Sequence, residues 1–250
     1  GLLTLAQAIS VIMGANIGTT LTAWIMSLGY NVDLTVVVFP AFFLGIILIY
    51  SKSKRYFGDF LFGIAFLFFA LVLLSTAGKE LDLEHNPEAM AFFSSFDVNS
   101  HWSIIAFVLI GTAITCIVQS SAAVMAITIL LCSTGVLPIY LGIALVLGEN
   151  IGTTATANLA ALGANTQARR AALAHLLFNV FGVIWVLCLF YPFVNFVCSL
   201  VGYDPTGTGY TTAQKAKLLP IVLAAFHTCF NVINTGVLIW FIPQLEKAVC

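Results

Sequence analysis

Residues 14–23 read GANIGTTLTA, and residues 148–157 read GENIGTTATA, so one polar pattern is present twice in this chain. Extended to the Leu-Gly pair that closes each copy, the two segments are identical at ten of sixteen positions, at a constant offset of 134 residues. Self-similarity at a fixed offset indicates an internal duplication rather than a coincidence of composition. The duplicated element is a patch of asparagine, threonine and glycine.

The composition around the two copies is that of a membrane protein. Hydrophobic residues make up 61% of the chain, charged residues 8%, and the mean hydropathy is +1.07. A water-soluble fold would have too few polar side chains to cover its surface. The net charge of −1 and the lack of a basic stripe argue against nucleic acid as a partner. We therefore expect an all-α integral membrane protein in a lipid bilayer.

Apolar segments of bilayer length alternate with short polar turns. Residues 34–50 and 58–77 are each close to the roughly 20 residues that cross a bilayer. The basic turn between them, residues 52–55, is predicted to be cytoplasmic by the positive-inside rule. The loop from about 78 to 101 carries five acidic residues, among them Glu84, and is predicted to lie outside.

Two apolar stretches in the second half of the chain have polar centres. Residues 102–134 are too long for one simple span, and Gln119, Ser120 and Ser121 stand in the middle, so we expect a broken helix or a re-entrant hairpin. In residues 136–163 we expect the polar motif to interrupt the helix. Glycine weakens helix continuity, and asparagine and threonine offer competing hydrogen bonds.

The duplication divides the chain into four parts. Residues 1–33 are predicted to be the C-terminal part of a first repeat whose N-terminal part is missing, and residues 102–170 form the second repeat. Residues 34–101 hold two transmembrane helices and the acidic outer loop. Residues 171–250 hold two C-terminal transmembrane helices, joined by an outer loop at 195–217. The charge pattern places the ends of the two copies on opposite sides, so we expect inverted-topology repeats that meet at the midplane.

Broken helices at membrane depth present groups that bind ions. Half-helix N-termini attract anions, while exposed carbonyl, hydroxyl and amide oxygens coordinate small cations. Small polar residues also serve helix packing, but a polar pattern present twice favours binding. The candidate binding side chains are Gln119, Ser120, Ser121, Asn150, Thr153, Thr154, Asn16, Thr19 and Thr20.

Glu149 distinguishes the second copy from the first, in which Ala15 takes its place. A carboxylate at membrane depth is costly unless it is paired or used. Three interpretations stay open: it is protonated, it lies near a cavity, or it helps to bind a coupling ion. His175 and His227 stand in apolar helices, and for both we expect interhelical hydrogen bonds rather than a proton relay.

Four segments together resemble the sodium-phosphate cotransporter family, especially its bacterial members. They are QSSA at 119–122, the motif at 148–154, the arginines at 169–170 and AHLLFN at 174–179, and GANIGTT at 14–20 is similar to the motif of that family's first repeat. The resemblance implies sodium-coupled symport of inorganic phosphate across the plasma (inner) membrane by a multi-pass protein. It implies no enzyme activity, and no cofactor or metal beyond the transported sodium. It also implies that Gln119, Ser120 and Ser121 contact phosphate or sodium, and that the asparagines and threonines of both motifs complete the pocket.

Several alternatives remain at this stage. A phosphate exporter or a proton-coupled anion transporter would give Glu149 a role, and an ion channel or a membrane scaffold would also use hydroxyl-lined broken helices. An intramembrane hydrolase is disfavoured, because Ser120 or Ser121 with His175 lacks a Gly-x-Ser-x-Gly turn and a third group. The direction of flux, the number of sodium ions and assembly into a homo-oligomer stay open.

Overall fold

The computed structural model describes residues 3–31, 33–83 and 85–250, and every regular element in these ranges is helical. Glu84, which belongs to the predicted outer loop, lies outside the described residues. The helices are α1 (Leu5–Asn31), α2 (Thr35–Ile49), α3 (Arg55–Leu81), α4 (Pro87–Ser94), α5 (His101–Val118), α6 (Ser121–Ser133), α7 (Ile139–Ala161), α8 (Thr166–Cys188), α9 (Phe190–Val201), α10 (Thr212–Leu238) and α11 (Ile242–Ala248), with a 3-10 turn at Ile239–Phe241.

Five segments in the described part of the chain are helical, long and apolar enough to cross a membrane. They are Leu5–Gly29, Arg55–Gly78, His101–Val118, Thr166–Cys188 and Thr212–Ala248. The prediction of an all-α, multi-pass protein of the cell membrane is therefore confirmed. α2, which covers most of the crossing predicted at 34–50, has 15 residues, or about 22 Å of helix. It is thus shorter than the hydrocarbon core of about 30 Å.

α7 lies at the centre of the fold. Every residue from 139 to 150 is buried, and α7 packs on α5, α6, α8 and α10. The α2–α3 hairpin, by contrast, exposes Phe39 and Phe43, each by 67%. Large apolar side chains that face outward in this way suit contact with lipid. The second copy of the motif is thus carried by the most enclosed helix.

The helix break predicted within residues 102–134 is confirmed at Gln119 and Ser120. Gln119 has φ 55 and ψ 28, a left-handed conformation that a non-glycine residue seldom adopts and that ends α5. Ser120 is extended, with φ −146, and its Oγ accepts a hydrogen bond from the N–H of Ala123 at 3.2 Å. Ser120 therefore caps the N-terminus of α6. α6 then packs mainly on α7 and α10.

The second predicted break, at the motif itself, is wrong. α7 runs without interruption through residues 148–154, and α1 runs in the same way through residues 14–20. The motif asparagines and several of its threonines donate hydrogen bonds to carbonyls three or four residues earlier in their own helix. Such bonds are compatible with a continuous helix.

The glycines of the second motif serve close helix packing instead. A Cβ atom added at Gly148 would lie 2.7 Å from the backbone nitrogen of Thr112, and one added at Gly152 would lie 2.5 Å from Cβ of Thr115. Both contacts are with α5, and α5 and α7 form the most extensive helix pair. Gly148 and Gly152 are spaced as in a Gly-x-x-x-Gly motif, which lets two backbones approach closely.

Helix boundaries differ from the predicted ones in the C-terminal part. α8 begins at Thr166 rather than near 171, because the side chain of Asn165 accepts a hydrogen bond from the N–H of Ala168 at 3.0 Å and caps the helix. α9 occupies part of the loop predicted at 195–217, so this region holds more than two helices. The opposite direction of the two motif copies stays a prediction.

Candidate binding site

The two copies of the motif make the same internal hydrogen bonds. Asn16 and Asn150 each donate from Nδ2 to the carbonyl four residues earlier, at 2.9 and 2.8 Å. Thr20 and Thr154 each donate from Oγ1 to the carbonyl three residues earlier, at 2.8 and 2.7 Å. All four side chains belong to buried residues. The sequence duplication is therefore also a duplication of local structure.

The remaining threonine differs between the copies. In α7, Thr153 Oγ1 donates to the carbonyl of Glu149 at 2.6 Å, and the residue is exposed. In α1, Thr19 is half-buried, and its hydroxyl makes no hydrogen bond to any residue that the structure describes. Of these two threonines, only Thr19 has a hydroxyl without a hydrogen-bond partner among the described residues.

Asn150 joins α7 to α10. Its Oδ1 lies 3.3 Å from His227 Nε2 and accepts a hydrogen bond from Asn231 Nδ2 at 3.4 Å. The interhelical bond expected of His227 is present. His175 makes no side-chain hydrogen bond to a described residue, and there the expectation fails. His227 Nδ1 is buried and has no partner in the described part of the chain.

A small cavity lies where α1, α6, α7 and α10 meet, and its volume is about 10 Å³. Three of the predicted site residues, one from each of α1, α6 and α7, line it together: Thr19, Ser121 and Glu149. Two polar residues that the sequence analysis did not single out as ligands, Thr22 and His227, also face it. The complete lining is Thr19, Thr22, Ala23, Ser121, Ala122, Met125, Glu149 and His227.

The spacing of Thr22 could have revealed it. Residues three apart lie on the same helix face, so Thr22 follows Thr19 along α1. His227 carried no such signal, because its approach to α7 depends on how α10 packs.

Glu149 is almost completely enclosed, with 2% of its surface exposed. Its Oε1 lies 3.1 Å from Thr128 Oγ1, which can donate a hydrogen bond to it. Thr128 Oγ1 also lies 2.9 Å from the carbonyl of Val124. Among the described residues no lysine or arginine forms an ion pair with this carboxyl group. The interior thus contains an acidic group without a cationic side chain to balance it.

The other predicted site residues do not line this cavity. Gln119 is exposed at the break, and Ser120 Oγ is occupied as the cap of α6. Asn150 lies beside the cavity through its contact with His227. The side chains directed elsewhere are those of Asn16, Thr20, Thr153 and Thr154.

Two bacterial proteins are similar to this chain over nearly all of its length. The protein named "Uncharacterized protein YqeW" from Bacillus subtilis is 29% identical over 240 residues, which cover 94% of this chain and 69% of YqeW. "Putative inorganic phosphate export protein YjbB" from Escherichia coli K12 is 28% identical over 250 residues. That match covers 98% of this chain but 41% of YjbB, so the chain spans less than half of the length of YjbB.

A third relative is a eukaryotic protein. Sodium-dependent phosphate transport protein 2B from Homo sapiens is 42% identical over 89 residues, which are 34% of this chain and 12% of that protein. No solved structure matches the chain. The model of the Na+/Pi-cotransporter family matches residues 1–76 and 99–202, which include both motif copies and the Gln119–Ser120 break. This match covers most of the sequence, and the chain therefore belongs to the Na+/Pi-cotransporter family.

Proposed function

We propose that this chain performs sodium-coupled symport of inorganic phosphate across the cell membrane. One observation carries the proposal: the apolar helix pair α5–α6 is interrupted at Gln119 and Ser120, beside the buried carboxyl group of Glu149, which forms no ion pair with a described residue. A helix interruption at membrane depth is tolerated where the freed backbone groups bind a substrate or an ion.

The phosphate site is the N-terminus of α6. Ser120 satisfies the N–H of Ala123 with its hydroxyl and that of Val124 with its carbonyl. The N–H groups of Ser121 and Ala122 lie in the first turn of α6, where a helix supplies no acceptor of its own. Such a terminus favours an anion, through both its N–H groups and its dipole. The amide of Gln119 and the hydroxyls of Ser120 and Ser121 complete the first contacts.

The motif residues build the walls of this site. Asn150, Thr153 and Thr154 in α7, and Asn16, Thr19 and Thr20 in α1, hold polar groups at the level of the break. Most of these side chains donate hydrogen bonds to carbonyls of their own helix, and α1 and α7 stay continuous. In this arrangement sodium is the only metal required, as a transported ion, and no cofactor takes part.

Coupling to sodium follows from electrostatics. The described residues place no lysine or arginine beside the α6 N-terminus, so the site itself does not neutralise a phosphate anion. Moving one net charge against the membrane potential costs about 2.3 kcal/mol per 100 mV. Co-transport of sodium offsets both the charge at the site and the work against the potential.

Export is the second candidate function, and the name of YjbB favours it. The same site would then release phosphate outward. The two candidates differ in the direction of net flux under physiological gradients, while the residues that contact phosphate stay the same.

The test is uptake of radiolabelled phosphate into proteoliposomes that contain the full chain. An inward sodium gradient is compared with an equal potassium gradient. Saturable uptake that requires sodium supports symport. Uptake that is indifferent to the cation rejects it, and sodium-independent release from preloaded vesicles would favour export.

A further inference from the structure

We propose that the turn between α2 and α3 is a binding site for the headgroups of anionic phospholipids. The side chains that bind them are those of Lys52, Lys54 and Arg55. This binding does not depend on the proposed transport activity, because it concerns the contact of the protein with the bilayer and no step in the movement of phosphate.

Positive charge is concentrated in this turn. Three of the nine lysine and arginine residues of the chain stand within four positions, and all three are exposed. None of them forms an ion pair with a described residue. Asp59, one helical turn further along α3, is exposed and forms no such pair either. The turn therefore carries a net positive charge that the described part of the protein does not neutralise.

The position of Lys54 and Arg55 is unfavourable for α3 by itself. α3 begins at Arg55, and its first turn contains no acidic residue. The N-terminal end of a helix carries partial positive charge, which favours anions and repels cations. An anionic partner at this place relieves the repulsion between the two side chains and the helix end.

Aromatic residues place the turn at the surface of the bilayer. Tyr50 and Tyr56 flank it and are exposed by 86% and 87%. Tyrosine is enriched at membrane–water interfaces, where its ring meets apolar groups and its hydroxyl meets water. Phe57 and Phe60 follow on α3 with exposed side chains that suit contact with acyl chains. The cations thus lie at the level of the phospholipid phosphates, which their long side chains can reach.

Close packing of α2 on α3 groups these side chains. A Cβ atom added at Gly58 would lie 2.5 Å from the backbone nitrogen of Ile49, so the two helices touch directly beneath the turn. α3 meets α6 near its other end, where a Cβ atom added at Gly78 would lie 2.6 Å from Leu130 Cδ2. The cations are therefore held together by the hairpin itself, at the end of α3 away from this contact with α6.

A lipid phosphate fits this surface better than free phosphate does. A basic residue close to an anionic membrane surface contributes about fivefold in affinity. The exposed aromatic rings beside the cations offer contacts that only a molecule with acyl chains can use. Exposed charges alone attract a small anion weakly, because water and salt screen them.

The experiment is a titration of the purified full chain in neutral detergent with dioleoylphosphatidylglycerol or dioleoylphosphatidylcholine, read by native mass spectrometry. Wild type should bind the first phosphatidylglycerol more tightly than the first phosphatidylcholine. Each of Lys52→Gln, Lys54→Gln and Arg55→Gln should weaken phosphatidylglycerol binding by about fivefold. The triple variant should lose the preference. All three positions are exposed, so the single variants should fold as wild type does, and circular dichroism checks this.

A matched control removes the same charge elsewhere in the chain. Lys215→Gln, Lys217→Gln and Lys247→Gln combined should keep the preference for phosphatidylglycerol. Equal losses in the two triple variants would overturn the inference, because net charge and not the turn would then attract the lipid. A wild type that binds both lipids equally well would overturn it too. If excess inorganic phosphate displaces phosphatidylglycerol while equimolar chloride does not, the turn binds free phosphate and the lipid is rejected as its partner.

Discussion

His227 Nε2 lies 3.3 Å from Asn150 Oδ1, and this contact ties α10 to the centre of the second motif copy. Asn231, four residues further along α10, reaches the same oxygen at 3.4 Å. All three residues are buried, so no solvent competes for these bonds. The contact fixes α10 against the stretch of α7 that carries Glu149, and it thereby sets one wall of the cavity.

Replacement of Asn150 by alanine should destabilise the protein by about 1–3 kcal/mol. The substitution leaves two buried partners, His227 and Asn231, without their acceptor, and unsatisfied buried groups cost this much. The measurement is unfolding in detergent of Asn150→Ala, His227→Ala and the double variant. The losses should not add, with a coupling of about 0.5–3 kcal/mol. Additive losses would show that the contact contributes no energy.

Equivalent glycines in the two motif copies should respond differently to substitution. Gly152→Ala places a methyl group against Thr115 and should cost about 1–3 kcal/mol by overpacking. Gly18 is the matching position in α1, and a Cβ atom there meets nothing within 4 Å. Gly18→Ala should therefore be neutral. The thermal midpoints of both variants in detergent test this, and equal shifts would contradict the packing role of Gly152.

Loss of the cap on α6 should impair transport more than folding. Ser120→Ala removes the acceptor for the N–H of Ala123, at a cost of about 1 kcal/mol. Because it also removes a proposed phosphate contact, sodium-dependent uptake should fall strongly at normal membrane levels of the protein.

Two comparison variants sharpen this test. Ser120→Thr keeps a capping hydroxyl and should restore much of the uptake. Ser133→Ala makes the same chemical change at the opposite end of α6, where the hydroxyl bonds to the carbonyl of Leu130. It should transport nearly as wild type does. Equal loss of uptake in Ser133→Ala and Ser120→Ala would move the site away from the N-terminus of α6.

Asp33, just before α2, should make stability depend on acid pH. Its side chain accepts hydrogen bonds from the hydroxyl and the N–H of Thr35, at 2.6 and 3.0 Å, and these bonds lower the pKa of Asp33 below 3.8. A lowered pKa in the folded state stabilises the protein above pH 3.8, and this contribution is lost as the pH falls through the folded-state value. Thermal midpoints of wild type and Asp33→Asn should therefore differ more at neutral pH than at a pH well below 3.8. A constant difference would contradict the linkage.

Much of the architecture was predictable from residue patterns. The apolar spans follow from length and hydropathy, because a helix in lipid must be about as long as the bilayer is thick. The break at Gln119 and Ser120 was predictable as well, since an apolar stretch of more than thirty residues cannot stay one simple span. The identical side-chain bonds of Asn16 and Asn150 reflect the identical local sequence, because such bonds reach only four residues back.

The glycines show where pattern reasoning failed. Gly148 and Gly152 were expected to break a helix, and they instead bring α5 against α7. A glycine has the same intrinsic helix propensity whether it breaks a helix or allows close packing. Which of the two occurs depends on whether another backbone approaches within about 3 Å. Gly14 and Gly18 have the same sequence context and no such neighbour. Local sequence does not contain this information.

The sequence by itself determined that this is a helical membrane protein with a duplicated polar motif and an interrupted helix, because these properties depend on composition, span length and short-range hydrogen bonds. Only the tertiary structure decided which polar groups converge. Thr19, Ser121 and Glu149 come from three helices, with Thr19 more than a hundred residues before the other two in the chain, and they meet in one cavity. Their meeting depends on how α1, α6, α7 and α10 pack, and therefore on distances that no local pattern encodes.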